Sequence, residues 1–138
     1  MNKVEVLQRL NASCNNTLMQ TLEIEYVDVG DDFLTATMPV TPKVHQPDGV
    51  LHGGATVALA ETVGSAASHL LLGPNDTVIR GIEISANHLK SVTHGVIQAK
   101  AILIHKGKTL QLLDIEVRDE DDRLISKCKL STICLKRK

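Results

Sequence analysis

The sequence predicts an α+β fold in which one long helix packs against an antiparallel sheet. Three observations predict it. Residues from about 53 to about 72 form an unbroken run of good helix formers, mainly Ala and Leu, between the turn signal Pro47-Asp48-Gly49 and the stop signal Gly73-Pro74. On both sides of that run, stretches of chain alternate apolar and polar residues with the period of a half-buried strand. Short turn signals, Gly30-Asp31-Asp32 and Lys106-Gly107-Lys108 among them, separate those stretches as hairpins would.

Asn2 is followed three residues later by Glu5, the spacing of a capping box. Val4, Leu7 and Leu10 recur at helical intervals, so a short amphipathic helix is expected over about 3–12. The polar cluster 11–17 ends it. Residues 22–29 alternate as a strand, and Gly30-Asp31-Asp32 turns the chain into a second one. That strand carries Leu34, Ala36, Met38 and Val40 on one face and Phe33, Thr35 and Thr37 on the other. Pro39 and Pro42 close it. Residues 41–51 are a loop that sets Gln46 and His52 near the N-terminus of the central helix.

After Gly73-Pro74-Asn75-Asp76, residues 77–92 read as one long strand, with Ile82, Ile84 and Ala86 on one face and Glu83, Ser85 and Asn87 on the other. Residues 96–104 form the next strand. Leu110–Arg118 returns from the hairpin with Leu113, Ile115 and Val117 on one side. Residues 119–122 are an acidic, solvated turn, 124–135 closes the sheet, and the basic tail Lys136-Arg137-Lys138 frays.

At 138 residues the chain is one domain, 1–138, with room for a core. Fifteen Lys and Arg against sixteen Asp and Glu leave a net charge of -1, which does not point to nucleic acid. With no Trp, one Tyr and one Phe, platforms for stacking bases are missing as well. Cys14, Cys128 and Cys134 are odd in number and lack Cys-x-x-Cys or zinc spacing, so they read as small buried thiols in a reducing compartment. Neither His-Glu-x-x-His nor a Cys/His cluster occurs, so no metal is implied. His45, His69 and His94 fit no pattern. The opening Met-Asn-Lys-Val-Glu-Val lacks the apolar stretch of a signal peptide, and the expectation is a soluble cytoplasmic protein.

The central helix is apolar almost all round, so burial on most sides is expected. A membrane span fits by length, but Glu61 at its middle, with His52, His69 and several Ser, Thr and Gly residues, argues against one. A phosphate loop fails too, because no Gly-Lys-Ser/Thr follows the glycines. Glu61 is a lone carboxylate with no Lys or Arg between Ala55 and Leu72, and burying such a group is costly. Taken singly, a structural glutamate bonded to a neighbouring backbone or His is an equal reading. Ser65 lies one turn further along the same face and Gly54 two turns back. The helix entrance at Gly53-Gly54 offers bare N–H groups and the positive dipole end. An acid or base and an oxyanion-binding terminus on one element together read as a catalytic arrangement.

Gln46, His52-Gly53-Gly54, Glu61 and Ser65 resemble the active-site signature of hotdog-fold acyl-CoA thioesterases, nearest the 4-hydroxybenzoyl-CoA and 1,4-dihydroxy-2-naphthoyl-CoA type and similar to phenylacetate-pathway thioesterases. Gly30-Asp31-Asp32, Met38-Pro39-Val40, the run 81–88 and the His105/Gly107 hairpin extend the resemblance over nearly the whole chain. It implies the hotdog fold, a curved sheet wrapped round the long helix, and a homodimer or dimer of dimers (a homotetramer) with active sites built across the subunit interface.

The resemblance also implies roles. Glu61 is the nucleophile or general base, the Gly53 N–H stabilises the carbonyl oxygen, Ser65 orients water or the carboxylate, and Gln46 and His52 bond around the thioester, with helix capping as the competing reading for His52. Coenzyme A, as part of the substrate, would meet Gly81, then His88, Leu89, Lys90 and Ser91, then His105, Lys106, Gly107, Lys108, Thr109 and Leu110, with the lysines at phosphates. Acyl carrier protein is the other carrier this implies. Asp48 stands where relatives taking aromatic acyl groups usually carry Phe, and the end of the helix is aliphatic, so a medium-chain or β-hydroxyacyl group is expected nearly as much as an aromatic one. A non-catalytic acyl-CoA binding module and an acyl-thioester dehydratase are the alternatives on the same fold.

Overall fold

The computed structural model describes residues 2–72 and 77–137. The expected stop and turn at Gly73-Pro74-Asn75-Asp76, and Lys138 of the tail, lie outside the described residues. Helix α1 (Lys3–Ala12) begins where Asn2 Oδ1 accepts the Glu5 N–H, and Val6 is its buried residue. A single turn, α2 (Leu18–Thr21), then comes just before the expected strand, and its C-cap Leu22 and the turn at Glu23 take up the first residues of that strand. Strand β1 is therefore shorter, Glu25–Val29, and it pairs antiparallel with β2 (Phe33–Pro39). After a 3-10 turn at Pro42–Val44 comes α3, Gly53–Leu72, at the expected bounds. Strands β3 (Thr77–His88), β4 (Val96–Lys106), β5 (Leu110–Arg118) and β6 (Leu124–Lys136) follow.

All six strands form one antiparallel sheet in the order β1-β2-β4-β5-β6-β3. The five strands from β2 to β6 all touch α3, so the sheet wraps the helix as the hotdog fold does. The alternation seen in sequence is the cause. Leu34, Ala36 and Met38 of β2, Ile97, Ala99 and Ala101 of β4, and Leu113, Ile115 and Val117 of β5 have no exposed surface and meet Leu59, Ala60, Val63 and Ala67 of α3. Each large aliphatic side chain so buried contributes about 1.5–3 kcal/mol.

Three expectations need correction. α3 is buried on one face, with Glu61 and His69 exposed on the other. It is long and apolar enough to cross a membrane, yet its buried face is covered by the chain's own sheet. Strand β3 stops at His88 because the N–H groups of Leu89 and Lys90 turn to the Ile125 carbonyl. Finally, a register shift between Gly81 and Glu83 breaks the alternation of β3. Ile84 and Ala86 pack on the core as expected, but Ile82 is 55% exposed. β3 is an edge strand, paired on one side by β6. Cys14 and Cys128 are buried, Cys134 is half-buried, and all three are free thiols.

Candidate active site

Glu61 lies against β3. A Cβ on Gly81 would stand 2.9 Å from Glu61 Oε2, 3.5 Å from Leu130 Cδ1 and 3.6 Å from Ser65 Oγ. The missing side chain is what lets the carboxylate lie down on the strand. Glu61, Ser65 and Gly81 thus come together, one turn of helix against one strand position. The carboxylate was expected in a buried setting. In this chain it is exposed, and it opens onto a cavity of about 460 Å³ whose walls include Met19, Tyr26, Ala66 and Val78.

The front of α3 is built differently. The His52 imidazole caps it, Nδ1 accepting the Gly54 N–H at 2.7 Å, while the His52 carbonyl accepts the N–H groups of Ala55 at 3.0 Å and Thr56 at 3.3 Å. Of the first four helical N–H groups, Gly53 is the one left without an acceptor among the described residues. A Cβ there would meet His88 Nε2 at 2.8 Å, so glycine admits that ring beside the free N–H. The other ring nitrogen, His88 Nδ1, lies 3.0 Å from Ser126 Oγ. Gln46 starts the turn before the helix, its Oε1 accepting the Asp48 N–H at 2.5 Å and leaving Nε2 without an acceptor. Gln46, Gly53, His88, Leu89, Lys90 and Ser91 share a second cavity of about 260 Å³.

Residues His105, Lys106, Gly107, Lys108, Thr109 and Leu110 form the β4–β5 hairpin at the far end of the helix. Lys106 Nζ reaches the Leu71 carbonyl at 3.4 Å, and the Gly107 N–H donates to Leu110 O at 2.9 Å. With a rise of about 1.5 Å per residue, Gly53 and Glu61 are about 12 Å apart along the axis, and this hairpin lies further still. One chain therefore presents the expected residues as separate groups.

Sequence reading missed several walls of the Glu61 cavity, namely Leu10, Met19, Tyr26 and His69. His69 carried no motif, and the others lie before Gly30, ahead of the first motif of the resemblance. For His45 and His94 the structure shows local bonds, His45 Nε2 to the Thr93 carbonyl and His94 Nδ1 to the Thr93 hydroxyl, each 2.9 Å long.

Residues 48–126 match the family model described as the thioesterase superfamily. The chain is 44% identical over 126 residues to the proofreading thioesterase EntH of Cronobacter turicensis, covering 91% of each protein. Among solved structures, a thioesterase from Haemophilus influenzae superposes with a TM-score of 0.91 at 39% identity, covering 94% of this chain and 90% of that one. A thioesterase from Staphylococcus aureus superposes with a TM-score of 0.83 at 35% identity, covering 86% and 98%. It has been solved as a glutamate-to-alanine and as a glutamine-to-alanine variant. The two replaced positions lie fifteen residues apart, the separation of Gln46 and Glu61 here.

Proposed function

Because this chain belongs to the thioesterase superfamily and is a thioester hydrolase, we propose that it cleaves small or medium acyl-CoA thioesters, aromatic ones included, with Glu61 at the chemistry. Membership in that family favours hydrolysis over the binding-module and dehydratase readings. The observation that carries the assignment is the carboxylate laid over Gly81 and open to a cavity, with the Ser65 hydroxyl beside it.

A water held between Glu61 and Ser65 gives its proton to the carboxylate as its oxygen attacks the acyl carbon. Negative charge collects on the carbonyl oxygen, where the unpaired Gly53 N–H donates to it, aided by the helix dipole and the free amide of Gln46. The C–S bond then breaks, and the proton passes from Glu61 to the departing thiolate, leaving a free acid and CoA. His52 acts through its cap, since holding the Gly54 N–H fixes the turn from which Gly53 donates.

Gly53 and Glu61 of one chain are too far apart to serve one carbonyl group, so the site takes its two halves from two chains. The edge strand β3 supplies the geometry. Antiparallel pairing of two β3 edges sets the His88 end of one against the Thr77 end of the other. The Gly53 N–H of one protomer then faces the Glu61 carboxylate of its partner, and the hairpin 105–110 of one chain approaches residues 88–91 of the other, where CoA or an acyl carrier arm would lie. Replacing Glu61 by Gln tests the assignment. Thiol release from an acyl-CoA panel is expected to fall at least about a hundredfold in kcat with the fold intact; turnover near wild type would remove Glu61 from the chemistry.

A further inference from the structure

Along β5 the core-facing positions are Gln111, Leu113, Ile115 and Val117, and none of them has exposed surface. An aliphatic residue at 111 would pack there as the others do, without taking an amide out of water. Gln111 instead joins a line of buried polar groups. The Ser68 hydroxyl lies 2.9 Å from Thr132 Oγ1, Thr132 Oγ1 donates to Gln111 Oε1 at 2.9 Å, and Gln111 Nε2 donates to the Gly107 carbonyl at 3.2 Å. Thr132 has one hydroxyl proton and gives it to Gln111, so Ser68 is the donor to Thr132. The opposite amide orientation would set Oε1 against the Gly107 carbonyl, acceptor against acceptor. The direction of the line is therefore fixed from end to end.

Both ends of this line bear on the site. Ser68 lies on α3 two turns past Glu61, about 10 Å along the axis. Gly107 is the tip of the β4–β5 hairpin, flanked by Lys106 and Lys108, which are exposed and form no ion pair among the described residues. The hairpin's other ties to the rest of the chain flank that tip: the Cys134 N–H donates to the Thr109 carbonyl at 2.7 Å, and Lys106 Nζ reaches the Leu71 carbonyl at 3.4 Å. Gln111 holds the tip itself, from inside the core.

We propose that Gln111 is a positioning residue: through Thr132 and Ser68 it holds the hairpin tip at a fixed distance from the helix that carries Glu61, so that Lys106 and Lys108 stand ready for the phosphates of CoA. The proposal rests on the reading of hairpin 105–110 as the place where CoA lies. A hairpin freed from the core samples other positions, and CoA must then select the competent one. Apparent affinity falls in proportion to the population lost. Glu61 and the front of α3 are untouched, so a bound substrate reacts at its former rate.

The test uses the full chain with Ser68→Ala, Thr132→Val and Gln111→Leu combined, which leaves none of the three side chains as an unpaired polar group in the core and passes the half-buried Gly107 carbonyl to water. Its substrates are benzoyl-CoA and the benzoyl thioester of N-acetylcysteamine, which carries the same acyl group and no phosphate. KM for benzoyl-CoA and the inhibition constant of free CoA are expected to rise about five- to tenfold, with kcat unchanged and kcat/KM for the short thioester unchanged. A merely structural network would weaken both substrates alike or neither, and either result overturns the proposal. Lys106→Ala with Lys108→Ala separates the two claims. If that pair raises KM for benzoyl-CoA and the triple variant does not, the hairpin still holds CoA and the positioning role falls. If the pair leaves KM unchanged, the hairpin does not hold CoA, and the proposal falls with that reading.

Discussion

Alanine at position 81 should separate activity from stability. Its Cβ would lie 2.9 Å from Glu61 Oε2, about 0.5 Å inside ordinary contact, while Leu130 Cδ1 at 3.5 Å and Ser65 Oγ at 3.6 Å are already at tolerable distances. The crowded atom is the free end of a flexible side chain, so the carboxylate yields and the backbone stays. A displacement of roughly 0.5–1 Å of the group that activates water costs about ten- to a hundredfold in rate, or about 1.4–2.7 kcal/mol in the barrier. Meanwhile Gly→Ala in a strand contributes about 0.5–1 kcal/mol of stability through the unfolded chain. Gly81→Ala should therefore lose about ten- to a hundredfold in kcat, read as thiol release from a saturating acyl-CoA, with Tm unchanged or raised by a few degrees. Full activity would mean that Glu61 does not act from its place over Gly81. A Tm drop of more than about 5 °C would mean that the backbone, not the carboxylate, had been crowded.

The oxyanion donor can be deleted in place. Proline is tolerated at the first helical position and lacks the N–H, so Gly53→Pro should lose about 3 kcal/mol of transition-state stabilisation, a hundredfold or more in kcat. Gly53→Ala presents a similar Cβ to His88 but keeps the N–H, and equal losses in the two variants would refute the donor role. A third prediction concerns stability alone. The Ser68 hydroxyl donates to Thr132 Oγ1, Thr132 donates to Gln111 Oε1, and Gln111 Nε2 donates to the Gly107 carbonyl, a chain running from α3 through β6 and β5 to the hairpin. Ser68, Thr132 and Gln111 have no exposed surface. Thr132→Val strands two polar groups and should cost about 2–5 kcal/mol, seen as a Tm fall of roughly 10 °C. Adding Ser68→Ala and Gln111→Leu should recover much of that loss; no recovery would refute the network account.

Much of the fold was legible because burial wrote itself into period. The turn at Pro47-Asp48-Gly49 and the aliphatic run after it placed α3 at about its observed bounds, and alternation placed Leu113, Ile115 and Val117 in the core. The bulge at Gly81 was not legible, since an inserted residue shifts the alternation without a signal of its own, and Ile82 was assigned to the wrong face as a result. The exposure of Glu61 was hidden for another reason. Ala, Ser and Gly on a helix fit a buried face and an open one equally well, so composition suggested burial all round. Of the site, Gly53, Glu61 and Ser65 could be found by spacing on one helix. The contact of Gly81 with Glu61 and of His88 with Gly53 joins residues far apart in the chain, and a lone glycine within a strand pattern was the one local hint. Tyr26 left no hint, because a single tyrosine on a strand looks like core.

The central claim is that one active site draws Glu61 from one protomer and the Gly53 N–H from its partner. Co-expression of Glu61→Gln and Gly53→Pro chains under different affinity tags, followed by purification of the mixed dimer, tests it most directly. Each homodimer should be nearly inactive. The mixed dimer keeps one site with both wild-type halves, so its turnover should recover to about half that of the wild-type dimer. A mixed dimer as inactive as its parents would contradict the claim.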